Sequence, residues 1–126
     1  MALNAIGEFT LNQTSNTFDI ASGGGGTATI NYEGTATDLG TVQGTLRCVF
    51  TEPGAAAGTC SWRGASFVDG GEVVGATGEG VWQKVDGQHK WRVYGVNLLS
   101  DGRILASEGE IDLATRSYNG TISEWG

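Results

Sequence analysis

From Thr27 to Ile111 a single assignment of alternate residues to two faces carries through every turn without a contradiction, although the second face is not fully polar. This feature limits the fold more than any other. A period of two belongs to a strand with one buried face. In Thr27–Asp38 one face collects Ala28, Ile30, Tyr32, Gly34 and Ala36, and the other is Thr29, Asn31, Glu33, Thr35 and Thr37. In Thr41–Phe50 the apolar set is Val42, Gly44, Leu46, Cys48 and Phe50. No helical period appears anywhere.

The turns predict the pairings. Asp38-Leu39-Gly40 sets Tyr32 opposite Leu46 and Ile30 opposite Cys48. A hairpin near Gly54 places Cys48 opposite Cys60. Asp69-Gly70-Gly71 brings Trp62 to Gly78 and Cys60 to Gly80. Asp86-Gly87 is a strong two-residue hairpin signal and sets Trp82 across from Trp91. With Asp101-Gly102 as the next turn, Asn97 faces Ala106, Gly95 faces Glu108 and Val93 faces Glu110. A five-residue final turn puts Tyr118 opposite Glu110 and Gly120 opposite Glu108, whereas a four-residue one buries Ser117 and Asn119 instead. The last strand reads as Ser117–Trp125.

Ahead of this set, Ala5–Asn12 reads as a first strand through Ile6, Phe9 and Leu11, and Thr14–Ile20 extends it after a bend. Met1–Asn4 reads as a loose end. The glycine run Ser22–Gly26 reads as a mobile loop, either a flap over a barrel mouth or a plain connection. The sum is eight strands joined by hairpins in one all-β domain spanning residues 1–126. That count suits an eight-stranded antiparallel up-and-down β-barrel of calycin-like form, closed so that no edge is bare, with a two-sheet sandwich as the alternative.

Composition narrows the function. Glycine is 22 of 126 residues with no G-X-Y period, which excludes collagen. A net charge of −7 disfavours nucleic acid and anionic membranes as partners. No apolar run is long enough for a spanning helix, and Met1–Glu8 lacks the features of a signal peptide, so a cytoplasmic location is expected. In that compartment Cys48 and Cys60 are expected as thiols, although their pairing makes a disulfide geometrically conceivable. His89 stands alone beside a turn, so neither a zinc site nor any other cofactor is expected.

The inward face then carries Tyr32, Trp62, Trp82, Trp91, Asn97 and Tyr118 as candidate ligand-binding residues, with the Trp rings either lining a ligand or filling the core. Glu108 and Glu110 are the candidate catalytic residues. Two carboxylates about 7 Å apart in an apolar lumen would repel and be desolvated, raising at least one pKa. Both could equally sit at a solvated rim. On the outer face, Val96 and Leu98 near Leu105 form a candidate patch for a homodimer or higher oligomer.

The layout, with its late segment Gly78-Glu79-Gly80-Val81-Trp82, resembles the allene oxide cyclase-like barrels and their small bacterial relatives. The resemblance implies cyclisation or isomerisation promoted by an ionised lumen carboxylate, a role that would fall to Glu108 or Glu110 with Asn97. A weaker similarity, in the opening Gly7-Glu8-Phe9 strand, is to avidin-like ligand barrels. Three readings stand: a barrel binding a small, largely apolar or amphipathic molecule; a cofactor-free isomerase or cyclase; and a structural or interaction protein with a filled core.

Overall fold

Eight strands close on themselves in sequence order. They are β1 (Asn4–Ile20), β2 (Gly26–Ala36), β3 (Gly40–Phe50), β4 (Ala57–Phe67), β5 (Val73–Lys84), β6 (Lys90–Leu99), β7 (Ile104–Asp112) and β8 (Ser117–Glu124). The structure, a computed structural model, describes residues 4–124. Of the expected loose end Met1–Asn4, Asn4 instead begins β1, paired with Glu124, while residues 1–3 and the expected strand end at Trp125 lie outside the described residues. Every pairing is antiparallel, and β1 closes the barrel against β8. The barrel, not the sandwich, is therefore the fold.

β1 is long because it serves two neighbours at staggered heights. It pairs with β8 through Asn4–Asn12 and with β2 through Phe9–Ile20. A bulge between Gln13 and Ser15 absorbs Thr14, which is the bend expected there. The glycine run that follows is a hydrogen-bonded hairpin turn. Gly24 N donates to Ala21 O and Ala21 N donates to Gly25 O, both at 2.8 Å, with Gly24 at φ 94°.

Three expected pairings are observed: Cys48 with Cys60, Trp62 with Gly78, and Cys60 with Gly80. Three others, at two turns, are offset by two residues. Tyr32 lies opposite Gly44 and Ile30 opposite Leu46, because the β2–β3 turn is centred on Asp38, which adopts φ 61°. Trp82 lies opposite Val93 and Trp91 opposite Lys84, because the β5–β6 loop runs through four residues, Asp86–His89, closed by Val85 N donating to Lys90 O at 2.9 Å. An offset of two leaves every side chain on its expected face.

The β6–β7 turn differs by one residue, and one residue inverts a strand. Leu99 N donates to Arg103 O at 2.9 Å and Gly102 N to Leu99 O at 3.0 Å, so the loop is Ser100-Asp101-Gly102 with Gly102 at φ 94°. This is the three-residue hairpin whose last position needs the left-handed conformation that glycine adopts freely. Asn97 therefore faces Leu105, Gly95 faces Ser107 and Val93 faces Gly109. Leu105, at 3% exposure, points inward, and Glu108 points to solvent. Tyr118 pairs with Ile111 rather than Glu110, and Gly120 with Gly109 rather than Glu108, yet Tyr118 and Ile122 keep their buried places.

The outer apolar patch consequently exchanges a member. Val96 and Leu98 are joined by Ile104, while Leu105 belongs to the core. Elsewhere the outer wall carries exposed Glu33, Arg47, Arg63, Glu79, Arg92 and Glu108. Among the described residues no helix is long and apolar enough to cross a membrane.

Candidate functional site: a small apolar cavity in the barrel

The two halves of the lumen differ. Towards the β1–β2 and β5–β6 loops the barrel is filled by rings. Trp82 is buried and its Nε1 donates to Val49 O at 3.1 Å. Trp91 is half-buried, with Lys84 Nζ 6.0 Å from the centre of its ring. In the middle, Tyr118 packs edge-on against Phe9 at 4.9 Å and lies 5.5 Å from the Tyr32 ring.

Towards the opposite end, a cavity of about 100 Å³ remains. Leu46, Val93 and Ile122 line its depth, and Leu39, Leu99 and Leu105 line its outer end. Leu39 comes from the β2–β3 turn and is buried there. Trp62, Asn97 and Tyr118, three of the six residues expected to bind a ligand, line this space. Tyr32, Trp82 and Trp91 do not; they belong to the packed core around the other half.

The Trp62 ring reaches the wall because Gly44 and Gly64 leave it room: a Cβ at Gly64 would stand 2.9 Å from Trp62 Nε1, and one at Gly44 would fall into the ring. The space above Gly78, which lies opposite Trp62 on β5, is occupied by Asn97 Oδ1. Asn97 Nδ2 donates to Leu105 O at 3.3 Å and to Ser107 Oγ at 3.1 Å, which ties the amide across to β7. Ser107 Oγ accepts that bond and also reaches the Tyr118 hydroxyl. Asn97 and Ser107 thus make a bonded polar pair on a largely apolar wall that also includes Ser61 and Ser66.

Burial sets the chemistry of the remaining groups. Loss of hydration pushes the Tyr118 phenol well above its ordinary range, reinforced by nearby Cys60, Tyr32 and Cys48, and a hydrogen bond with Ser107 offsets only part of this. Tyr32 is raised likewise, by burial and then by Cys48. Its hydroxyl is buried with no hydrogen-bond partner among the described residues. The thiols of Cys48 and Cys60 are free; burial, with the neighbouring thiol, pushes Cys48 up to about 12, and burial, with Glu79, pushes Cys60 up to about 11. At neutral pH all four groups are uncharged.

The expected lumen carboxylates are corrected. Glu108 stands on the outer face between Tyr94 and Thr121. Glu110 is on the same face, with its carboxylate 3.7 Å from Lys90 Nζ. Glu79 borders the cavity, but its carboxylate reaches out to Arg63 at 3.5 Å. Among the described residues no three His, Cys, Asp or Glu side chains come together as a metal site.

Ser107 was hidden from the sequence reading by the slip at Gly102. The tripeptide Ser100-Asp101-Gly102 was the signal that could have revealed it, because a glycine closing a three-residue turn shifts β7 by one. No protein-family model, no curated protein and no solved structure matches this chain.

Proposed function

We propose that the barrel binds a small, neutral, largely apolar molecule carrying one hydrogen-bonding group. The observation behind this reading is the apolar cavity with the Asn97–Ser107 pair set into its wall. Among the described residues no Lys, Arg or His lines it, so a carboxylate or phosphate would be desolvated there without a counter-charge. A neutral alcohol or ketone suits the wall better. Its hydrocarbon part meets Leu46, Val93 and Leu105, and its oxygen meets Ser107 or Asn97.

Size narrows the class further. An apolar cavity of about 150 Å³ takes benzene, with six heavy atoms, so a space of about 100 Å³ suits a molecule of roughly four heavy atoms. At a ceiling of about 1.5 kcal/mol per heavy atom, four atoms bind no more tightly than about −6 kcal/mol. With Glu108 and Glu110 outside and the Glu79 carboxylate turned away to Arg63, no carboxylate among the described residues is placed in the cavity for the role that an isomerase of the expected kind would need.

Calorimetric titration with short alcohols, ketones and carboxylates tests the reading. Saturable binding of the neutral compounds alone is expected. Gly95→Ala adds a methyl group to the cavity wall 3.3 Å from Ser107 Oγ and 3.5 Å from Glu79 O, and it should weaken binding several-fold while the fold persists. Ser107→Ala should weaken alcohols and ketones but spare a hydrocarbon of equal size. Absence of saturation across the neutral series, or indifference to Gly95→Ala, would overturn the proposal.

A further inference from the structure

Among the described residues, the longest stretch of strand that barrel closure leaves bonded on a single side is the C-terminal end of β1. β8 pairs with β1 only as far as Asn12, after which Gln13 N makes a last bond of 2.9 Å to Arg116 O. Beyond the bulge, Ser15–Ile20 pairs with β2 alone. Thr14 through Ile20 are all exposed, and Phe18 and Ile20 retain 60% and 50% of their exposure on the inward-facing side of this overhang.

The alternation of an antiparallel ladder shows which groups are bare. Ala21 N donates to Gly25 O, so the odd-numbered residues Ser15, Thr17 and Asp19 also bond towards β2. The N–H and C=O groups of Asn16, Phe18 and Ile20 therefore point the other way, into the open edge. Edges of this kind are usually guarded by Lys, Pro or a bulge within the exposed run. Here the bulge lies before the run, and Gln13–Ile20 contains no Lys, Arg or Pro and only one charge, Asp19.

We infer that this edge pairs with the same edge of a second copy of the chain, giving a two-fold dimer with a sheet continuous from barrel to barrel. Main-chain geometry requires the occupant to be an extended strand that is itself bare on one side. Every other described strand is paired on both sides over most of its length, and at the opposite end of β1 only Asn4–Gly7 pairs with β8 alone, so among the described residues Ser15–Ile20 is the longest bare edge. Antiparallel pairing about a two-fold axis at Phe18 lets Asn16, Phe18 and Ile20 donate to and accept from Ile20, Phe18 and Asn16 of the other copy. It sets the two Phe18 rings side by side, an aromatic cross-strand pair. Because the contact is isologous it closes at two copies and does not propagate. Each chain carries −7, so association should strengthen as salt screens the repulsion.

Sedimentation equilibrium over a range of protein and salt concentrations tests this directly. A mass approaching twice that of the chain is expected. Hydrogen exchange should show the Asn16, Phe18 and Ile20 amides becoming protected as concentration rises, while Ser15, Thr17 and Asp19 stay protected throughout. Asn16→Pro removes an edge donor that bonds nothing inside the barrel, and Phe18→Lys places a cation at the seam. Each should weaken the dimer at least tenfold with an unchanged near-ultraviolet spectrum. A monomer at every concentration, or a dimer untouched by Phe18→Lys, overturns the inference; the second result would point to the Val96–Leu98–Ile104 face.

Discussion

Replacing Gly109 by alanine separates the two possible faces of β7. In the structure Gly109 points inward, and a Cβ there would stand 2.7 Å from Tyr118 Cε1, 2.8 Å from Asn119 O and 2.8 Å from Phe9 Cζ. The rings have little freedom, since Phe9 and Tyr118 are themselves 7% and 5% exposed and packed edge to face. The carbonyl belongs to β8, so relief requires moving backbone within the ladder. Overpacking typically costs about 1–3 kcal/mol, and a clash that involves backbone belongs to the upper part, about 2–3 kcal/mol. With a urea dependence of about 1.5 kcal/mol per molar, the unfolding midpoint should fall by about 1.3–2 M. Glu108→Ala, on the outer face, should change stability by less than about 0.5 kcal/mol. Glu110→Ala loses a half-exposed ion pair with Lys90, worth at most about 1 kcal/mol. Urea titration followed by Trp fluorescence and far-ultraviolet dichroism gives all three values. If Gly109→Ala were neutral and Glu108→Ala costly, the strand would be inverted and the cavity wall wrongly assigned.

Three further outcomes are expected. Leu105→Ala should destabilise by about 2–5 kcal/mol in the same titration, because the side chain is 3% exposed in the core. Stability should fall at alkaline pH. The Cys48 and Cys60 pKa values are raised on folding from an ordinary value of 9.0 to about 12 and about 11, so the unfolded chain loses protons first. Their stabilising effect is complete below pH 9 and is lost as pH rises through the folded values, at up to about 1.4 kcal/mol per pH unit for Cys48. Urea midpoints from pH 7 to 11 should show this decline, and Cys48→Ala should flatten it. Trp82→Phe removes the bond to Val49 O and should cost about 1 kcal/mol or more, read as a lowered midpoint with the barrel's β spectrum retained.

Strand number, barrel closure and most inward faces were legible because alternation survives any error of two residues. Tyr32 and Trp82 were given the wrong partners and the right face for that reason. The Cys48–Cys60 pairing came out directly, since the turn around Pro53-Gly54 is bracketed by two strongly patterned strands. β7 was not legible by pattern. Its outer residues include Ile104 and Ala106, its inner ones include Ser107 and Gly109, and neither row is plainly apolar. The decision fell to turn length, which depends on the backbone conformation of Gly102. That single residue carried Glu108 and Glu110 into an imagined lumen and kept Ser107 out of it. The cavity itself was beyond reach of pattern, because whether Trp62 fills the lumen or lies flat on Gly44 and Gly64 is decided by side-chain packing.

Seven of the eight joints between neighbouring strands are hairpins, and one joins residues as far apart as Leu11 and Asn119, 108 positions along the chain. Bringing such distant segments together costs about 4 kcal/mol in chain entropy, against about 2 kcal/mol for a ten-residue loop. Yet in the finished barrel Asn4 lies beside Glu124, so this joint is a neighbour contact like the others. The molecule is a ring of strands that happens to be cut between β8 and β1. Joining those ends with a short linker and opening the chain at the exposed Gly70-Gly71 turn would leave every pairing in place. The long-range closure would then fall between β4 and β5, and the last step of assembly would move to the strands that carry Trp62 and Gly78.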